Sequence, residues 1–376
     1  MAGEALSTGA PWRDPMGWRS RARARPLASV AMVSPSSGRL PLIIDVDTGI
    51  DDALALLYAC ASPEADVVAI TCVSGNVEAE QVARNTLAVM ELAGRGDVEV
   101  ALGREVPLIR ELRTAPDTHG PRGLGYAELP EARARLSPRH AADVIVAEAR
   151  HRPGELTLIT LGPLTNVALA LLLEPALPQL LGRLVMMAGA YRSAGNTGPT
   201  SEWNVAVDPE AMQIVLGAFG DPGLPSRPLA LGLDVTEKAK LTPAHLDHLA
   251  RRAGCRSDGS PLAGGPTNEV VRFLADALRF YMEFHSRYDG FYGAFIHDAL
   301  AVAAALDPSL VRSQPVAVEV ELGGNLTTGE TVADWRRTWG RQPNLDVCID
   351  ADVATFFTRF QDRVGRLAAS RSSVAS

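Results

Sequence analysis

The fold class predicted for this 376-residue chain is α/β: a single domain with a mostly parallel central sheet and helices on both faces. Three observations carry that reading. Short runs that are apolar at nearly every position alternate with stretches of helical spacing, as in PLIIDV followed by DDALALLYACA; runs of the first kind fit strands buried on both faces. The alternation continues from Leu40 to about residue 350, which implies crossover units on a parallel sheet. No linker divides this stretch, so one domain over residues 40–366 is expected.

The elements follow in order. PLIIDV, DVVAITCVSG and VEVALG read as the first three strands, with DDALALLYACA and AEQVARNTLAVMELAG as helices between them. The second helix stops at Gly94. A polar loop containing THGPRGLGYAELP comes next. HAADVIVAEARHRP is then a helix, LTLITLG a strand, and PLTNVALALLLEP a helix with Pro163 near its first turn. RLVMMAG and PLALGLDVT read as strands, DPEAMQIVLGA and PAHLDHLARRAG as helices. Residues 255–268 are a Gly/Pro/Ser-rich insert, followed by the helices EVVRFLADALRFYMEFHSRY and HDALAVAAALD. PVAVEVEL and NLDVCI are late strands, and residues 367–376 are expected to fray.

Composition narrows the function. A formal charge of −8 and only 5% aromatic residues disfavour a nucleic-acid binder. Cys60, Cys72, Cys255 and Cys348 show no spacing suited to a disulfide framework or a zinc site. No stretch of transmembrane length exists, so no membrane partner is expected. Residues 1–39 hold six arginines against two acids, a local +4, so the rest of the chain carries −12. This leader is read as a disordered extension, with a transit peptide or a start at Met32 as alternatives. It lacks the apolar segment of a secretory signal, and the expected location is cytoplasmic.

The chemistry concentrates in LIIDVDTGIDDALALL, where Asp45, Asp47, Asp51 and Asp52 fall within eight residues. In an α/β sheet the ligand site lies at the carboxyl ends of the strands. Asp51 and Asp52 open a helix, where the dipole favours a carboxylate by about 0.3–1 kcal/mol. Capping does not explain Asp45 and Asp47 at the end of a buried strand. Close carboxylates raise one another's pKa unless a cation neutralises them, and a hard divalent ion bound through oxygen resolves the repulsion. The competing reading is a capped turn with a stray buried aspartate. A phosphatase of the haloacid dehalogenase type also ends a strand in Asp-x-Asp, but Gly49 stands where that motif carries Thr or Val.

DVDTGIDDALAL closely resembles the signature of the inosine-uridine preferring nucleoside hydrolases. TCVSGN, THGPRGLG, LGPLTN, GNTGPTSEWNVAVDPEA and IHDALAVA follow in that family's order, over residues 40 to 350. The resemblance implies hydrolysis of a ribonucleoside, a small-molecule substrate, to ribose and a free base. It implies Ca²⁺ held by the carboxylates of Asp47, Asp52 and Asp298 and by the carbonyl of Leu161. Asp47 would be the general base and His297 the acid for the leaving base. Asp51, Asn76, Asn196, Glu202 and Asn204 match ribose-binding positions, and His119 would line the entrance. Tyr288, Phe291 and Tyr292 are candidates to stack on the base or to form core. A homodimer or homotetramer is expected. Thr48 and Ala299 stand where the family commonly has Pro, and Leu161 where some members have Thr. Two rivals remain open: a hydrolase of another N-riboside, and a non-catalytic nucleoside- or ribose-binding protein.

Overall fold

A computed structural model of the chain describes residues 38–262 and 267–372. The leader proper and part of the insert thus lie outside the described residues. The first half alternates regularly: β1 (Leu40–Val46), α1 (Ile50–Ala61), β2 (Ala65–Cys72), α2 (Ala79–Leu92), β3 (Glu99–Leu102), α3 (Pro116–His119), α4 (Ala141–His151), β4 (Thr157–Thr160), α5 (Thr165–Leu173), α6 (Leu177–Leu180) and β5 (Arg183–Met187). Next come α7 (Trp203–Val207), α8 (Pro209–Phe219), β6 (Leu229–Leu231), α9 (Leu233–Thr236), β7 (Lys240–Leu241), α10 (Pro243–Arg252), α11 (Glu269–Tyr288), β8 (Ala294–Phe295) and α12 (Asp298–Leu306). The chain ends in β9 (Val311–Val316), β10 (Val318–Val320), β11 (Thr331–Ala333), β12 (Leu345–Ala351) and α13 (Val353–Ser372).

Eight strands form the central sheet in the order β3-β2-β1-β4-β5-β6-β12-β9. All pair in parallel except β9, which runs antiparallel to β12 at one edge. In β1 every residue from Pro41 to Val46 is buried, because both faces are covered. Ile43 packs in a core with α4, α5 and α8, while Leu42, Ile44 and Val46 pack in a second core with α1, α2, α11, α12 and α13. The strand order reverses between β1 and β4, which opens a crevice beyond their carboxyl ends.

The structure corrects four readings of the sequence. PLALGLDVT holds a strand only through Leu231; Gly232 then caps the short α9, in which Thr236 is buried. PVAVEVEL is split between β9 and β10, which belong to different sheets. The THGPRGLGYAELP segment is not all loop, since α3 ends at His119. Residues 367–372 do not fray: α13 runs to Ser372 and buries Phe356, Phe360, Val364 and Ala368, a helix the sequence reading did not identify. All four cysteines are free. No described helix is long and apolar enough to cross a membrane.

Candidate active site

A cavity of about 510 Å³ lies over the β1/β4 crevice, within the usual range for a small-molecule site. Asp51, Asn76, His119, Leu161, Asn196, Glu202, Asn204, His297 and Asp298 line it, nine predicted site residues drawn from segments far apart in the chain. Asp47 and Asp52 are not in that lining; they stand behind it, 1% and 0% exposed. A larger cleft of about 1120 Å³ between α2 and α11 mixes charged residues, among them Glu91, Glu269 and Arg272, with apolar ones such as Phe273. Its Glu91 is already engaged by the backbone N–H groups of Arg133 and Ala134.

The acidic turn is built from hydrogen bonds that no sequence pattern specifies. Asp52, in the first turn of α1, accepts the backbone N–H of Gly49 on Oδ2 at 2.9 Å and that of Asp47 on Oδ1 at 3.2 Å. The capping reading therefore holds for Asp52. His119 reinforces the same helix start, its Nδ1 accepting the Ile50 N–H at 3.1 Å. Asp47 accepts the Asn76 N–H on Oδ2 at 2.8 Å, while its buried Oδ1 has no protein partner. The Asn76 amide also donates to Asp52 Oδ2 at 3.2 Å. Glycines make this packing possible: a Cβ on Gly75 would lie 2.1 Å from Asp47 Oδ2, and one on Gly162 would lie 2.9 Å from Oδ1. Thr48, in place of the family's Pro, bonds Thr86 Oγ1 at 2.7 Å.

Asp45 faces elsewhere. Its Oδ1 accepts Thr71 Oγ1 at 2.5 Å and Asn166 Nδ2 at 2.8 Å, so it ties the sheet to α5 and is outside the pocket lining. The stray buried aspartate of the competing reading exists, and it is Asp45.

The other wall is fixed from several sides. Asp51 Oδ2 accepts the N–H groups of His297 and Asp298, at 2.8 and 3.1 Å, and so caps α12; its Oδ1 is buried without a partner. His297 Nδ1 bonds Thr236 Oγ1 at 2.8 Å, which leaves Nε2 for the cavity. Glu202 caps α7, with Oε1 on the Asn204 N–H and Oε2 on the N–H groups of Gly189 and Val205. Glu202 is 1% exposed, so its carboxylate is a buried cap and not a solvated surface charge. Asn204 uses both amide hydrogens on carbonyls, at 2.7 Å on Leu161 and 3.0 Å on Met187, so only its Oδ1 is left for a ligand. Asn196 Oδ1 accepts the Trp203 N–H at 2.9 Å. Of the aromatic candidates, Tyr288 lines the cavity, Phe291 packs among rings, and Tyr292 is half exposed.

Electrostatics follow from burial. Desolvation pushes Asp47, Asp51, Asp52 and Asp298 above the ordinary carboxylate range. Repulsion adds to this, Asp52 acting on Asp47 and Asp51, and all three acting on Asp298. Burial, with a smaller push from the Asp52 charge, takes Asp45 to about 7 against its two hydrogen bonds. His119 and His297 are pushed down to about 3, mainly by burial. Among the described residues, no three His, Cys, Asp or Glu side chains converge as a ready-made ligand cage. The donor chemistry is nonetheless that of a hard cation: carboxylate oxygens, a buried unpartnered Asp47 Oδ1, and a backbone carbonyl from the neighbouring strand end.

Sequence reasoning missed Thr236, which orients His297, and Asn166, which anchors Asp45. It also missed the pair His285 and Asp289, both in the cavity wall. Asn166 was within reach as the last residue of LGPLTN. His285 and Asp289 also stand at a legible spacing, four residues apart, whereas Thr236 acts through a tertiary contact alone.

A model of the family described as inosine-uridine preferring nucleoside hydrolase matches residues 42–358. The pyrimidine-specific ribonucleoside hydrolase RihA of Escherichia coli (strain K12) is 38% identical over 326 residues, covering 86% of this chain and 98% of its own. The inosine-uridine preferring nucleoside hydrolase of Leishmania major is 35% identical over 328 residues, 87% of this chain and 98% of its own. Among solved structures, a purine-preferring ribonucleoside hydrolase from Gardnerella vaginalis superposes with a TM-score of 0.79 at 31% identity, covering 88% of this chain and 99% of that one.

Proposed function

The chain belongs to the inosine-uridine preferring nucleoside hydrolase family and hydrolyses the N-glycosidic bond of ribonucleosides, and from that premise we propose how its site does so. The observation that carries the reading is Asp47 Oδ1: a carboxylate oxygen, buried and unpartnered, between the ends of β1 and β4.

Asp47, Asp52, Asp298 and the carbonyl of Leu161 would hold a Ca²⁺ ion. When bound, the ion supplies the charge that neutralises these carboxylates and acidifies a water. Asp47 is the proton acceptor, since its Oδ1 is unused by the fold while Oδ2 is fixed by Asn76. Asp51 Oδ1 and the free Oδ1 of Asn204 face the ribose hydroxyls, with Asn76, Asn196 and Glu202 beside them. The surrounding acids stabilise positive charge that develops on the sugar as the bond breaks. His297, held by Thr236, presents Nε2 toward the leaving base, and His119 borders the entrance. A homodimer or homotetramer in the cytoplasm completes the proposal.

Ribose release tests this reading. Inosine, uridine, adenosine, cytidine and their 2′-deoxy forms are assayed with Ca²⁺ and then with EDTA. Release that requires both the metal and the 2′-hydroxyl is expected. Turnover that survives EDTA overturns the metal assignment, and binding without turnover in Ca²⁺ supports the non-catalytic alternative.

A further inference from the structure

Asp45 lies outside the cavity lining, yet it grips both ends of the segment that presents Leu161. Its backbone carbonyl accepts the Leu161 N–H, and its Oδ1 accepts Asn166 Nδ2, each at 2.8 Å. Residues 161–166 run from the end of β4 into the first turn of α5. They carry the proposed carbonyl ligand at Leu161. At Gly162 they pack on Asp47 so closely that a Cβ would lie 2.9 Å from Oδ1. The Leu161 carbonyl is also held by Asn204 Nδ2 at 2.7 Å, and Thr165 Oγ1 donates to Asp208 Oδ2 at 2.7 Å.

Asn166 is buried, and the bonds of its side chain all leave its own helix. Besides Asp45, Nδ2 donates to the Cys72 carbonyl at 3.0 Å, while Oδ1 accepts the Arg104 N–H at 2.9 Å. Asp45 stands in β1, Cys72 ends β2 and Arg104 lies just beyond β3. One amide thus ties three neighbouring strand ends to the start of α5. The fit is close, since a Cβ on Gly103 would lie 2.6 Å from Asn166 Cγ. With both amide hydrogens engaged, the residue acts through what it holds.

We propose that Asn166, bonded to Asp45, is a positioning residue for the calcium site, holding the Leu161 carbonyl and Gly162 against Asp47. The proposal rests on the metal reading of that site and adds what sets the spacing of its ligands. Asp47 stands two residues beyond Asp45, just past the end of β1. Leu161 stands one residue beyond Thr160, which pairs with Asp45 across the sheet. Asp45 is thus the point from which both ligands project, and the Asn166 amide closes the loop after β4 onto it. Without that amide the segment keeps its hold at Leu161 and loses the one on β1 at its far end. An ion with oxygen ligands at about 2.3–2.6 Å responds to small displacements of a backbone carbonyl. Side chains that orient the ligands of a metal typically govern about 10–100-fold in affinity.

A buried amide also supports the fold, so the test must separate positioning from stability. Thr71 provides the comparison: its hydroxyl donates to the same Asp45 Oδ1 at 2.5 Å, from β2, and makes no hydrogen bond to residues 161–166. The full chain is stripped with EDTA, Ca²⁺ binding is measured by titration calorimetry, and the Tm of the metal-free form is recorded alongside. Asn166→Ala should raise the Kd for Ca²⁺ by about 10–100-fold. Thr71→Val should lower the metal-free Tm and leave that Kd unchanged. Asp45→Asn, which loses the charge and keeps an acceptor for Asn166, should bind Ca²⁺ more tightly than Asp45→Ala. An unmoved Kd in Asn166→Ala, an equal loss in Asn166→Ala and Thr71→Val, or equal Kd values in the two Asp45 variants would overturn the assignment. The Asp45 pair keeps the test open should Asn166→Ala not fold. Wild-type protein that takes up no Ca²⁺ would overturn the metal reading and the proposal with it, whereas an unmoved Kd in Asn166→Ala overturns the proposal alone.

Discussion

The carboxylate of Asp51 accepts the backbone N–H of His297 at 2.8 Å, joining the first acidic turn to a helix start 246 residues away. Together with the Asp298 N–H at 3.1 Å, this contact fixes one proposed metal ligand and one base-side histidine to the turn that carries Asp52. The two halves of the site are thus positioned by a single side chain. Asp51 does this from the second position of α1, where the sequence offers a favourable helix-start charge and a match to a ribose-binding position but no sign of this contact.

Replacing Asp51 with Ala should leave two buried N–H groups unpaired, at a cost of about 1–3 kcal/mol each. It should also displace His297 and Asp298 enough to lower kcat by at least about 10²-fold. Asp51→Asn retains an oxygen that can accept both bonds, so its Tm should stay near wild type while activity falls. Thermal denaturation and ribose release on the two variants check this; equal destabilisation by both would show that charge, not acceptor geometry, matters.

Ca²⁺ should raise Tm, and EDTA should reverse the rise, because an ion that binds only the folded state adds about 2.7 kcal/mol at 100-fold excess over its Kd. Asp47→Asn should abolish the shift without disturbing the Asn76 contact on the other carboxylate oxygen. A calcium-independent Tm in the wild type would remove the metal from the site, whatever the enzyme hydrolyses.

Space around Asp47 is as constrained as its charge. A methyl group on Gly75 would stand 2.1 Å from Asp47 Oδ2, well inside contact distance. Gly75→Ala should therefore displace the proposed base and reduce turnover by at least about 10²-fold, with a smaller change in stability. Gly198→Ala, which meets nothing within 4 Å, is the control and should behave as wild type.

How much of this was legible in the sequence depends on the range of each interaction. β1, α1, β2 and α2 follow from apolar periodicity, which is local, and the sheet reads correctly through β5. PLALGLDVT was misread because Leu233 and Val235 of α9 continue the strand's alternation, and only Gly232 marks the break. The amphipathic α13 was missed because its apolar residues, Phe356, Phe360 and Val364, were not read as a helical stripe behind β12. Within the site, ordered motifs located the lining residues, and the family read from them is the family that the comparisons return. They did not predict that Asn204 would use both amide hydrogens on carbonyls, or that Asp45 would face away from the cavity. Those outcomes depend on which strand ends meet, which periodicity does not encode.

The ion pair of Asp307 and Arg359 gives a pH dependence remote from the cavity. Arg359 Nη1 lies 2.7 Å from Asp307 Oδ2 and ties α13 to the end of α12. Hydrogen bonds from Ser309, and then Arg359, hold the Asp307 carboxyl down at about 2 against an ordinary 3.8. A carboxyl whose folded pKa is depressed contributes stability above its unfolded value, and loses it as pH falls through the folded one. The contribution should therefore be complete at pH 6, shrink below about pH 4, and vanish near pH 2. Both side chains are about a third exposed, so solvent screening limits the pair with Arg359 to at most about 1 kcal/mol. Asp307→Asn should accordingly lower the denaturant midpoint at pH 6, with a gap to wild type that narrows as the pH is lowered. A gap constant between pH 6 and pH 3 would mean that the ionised carboxyl adds nothing there, leaving only the contact it shares with an amide.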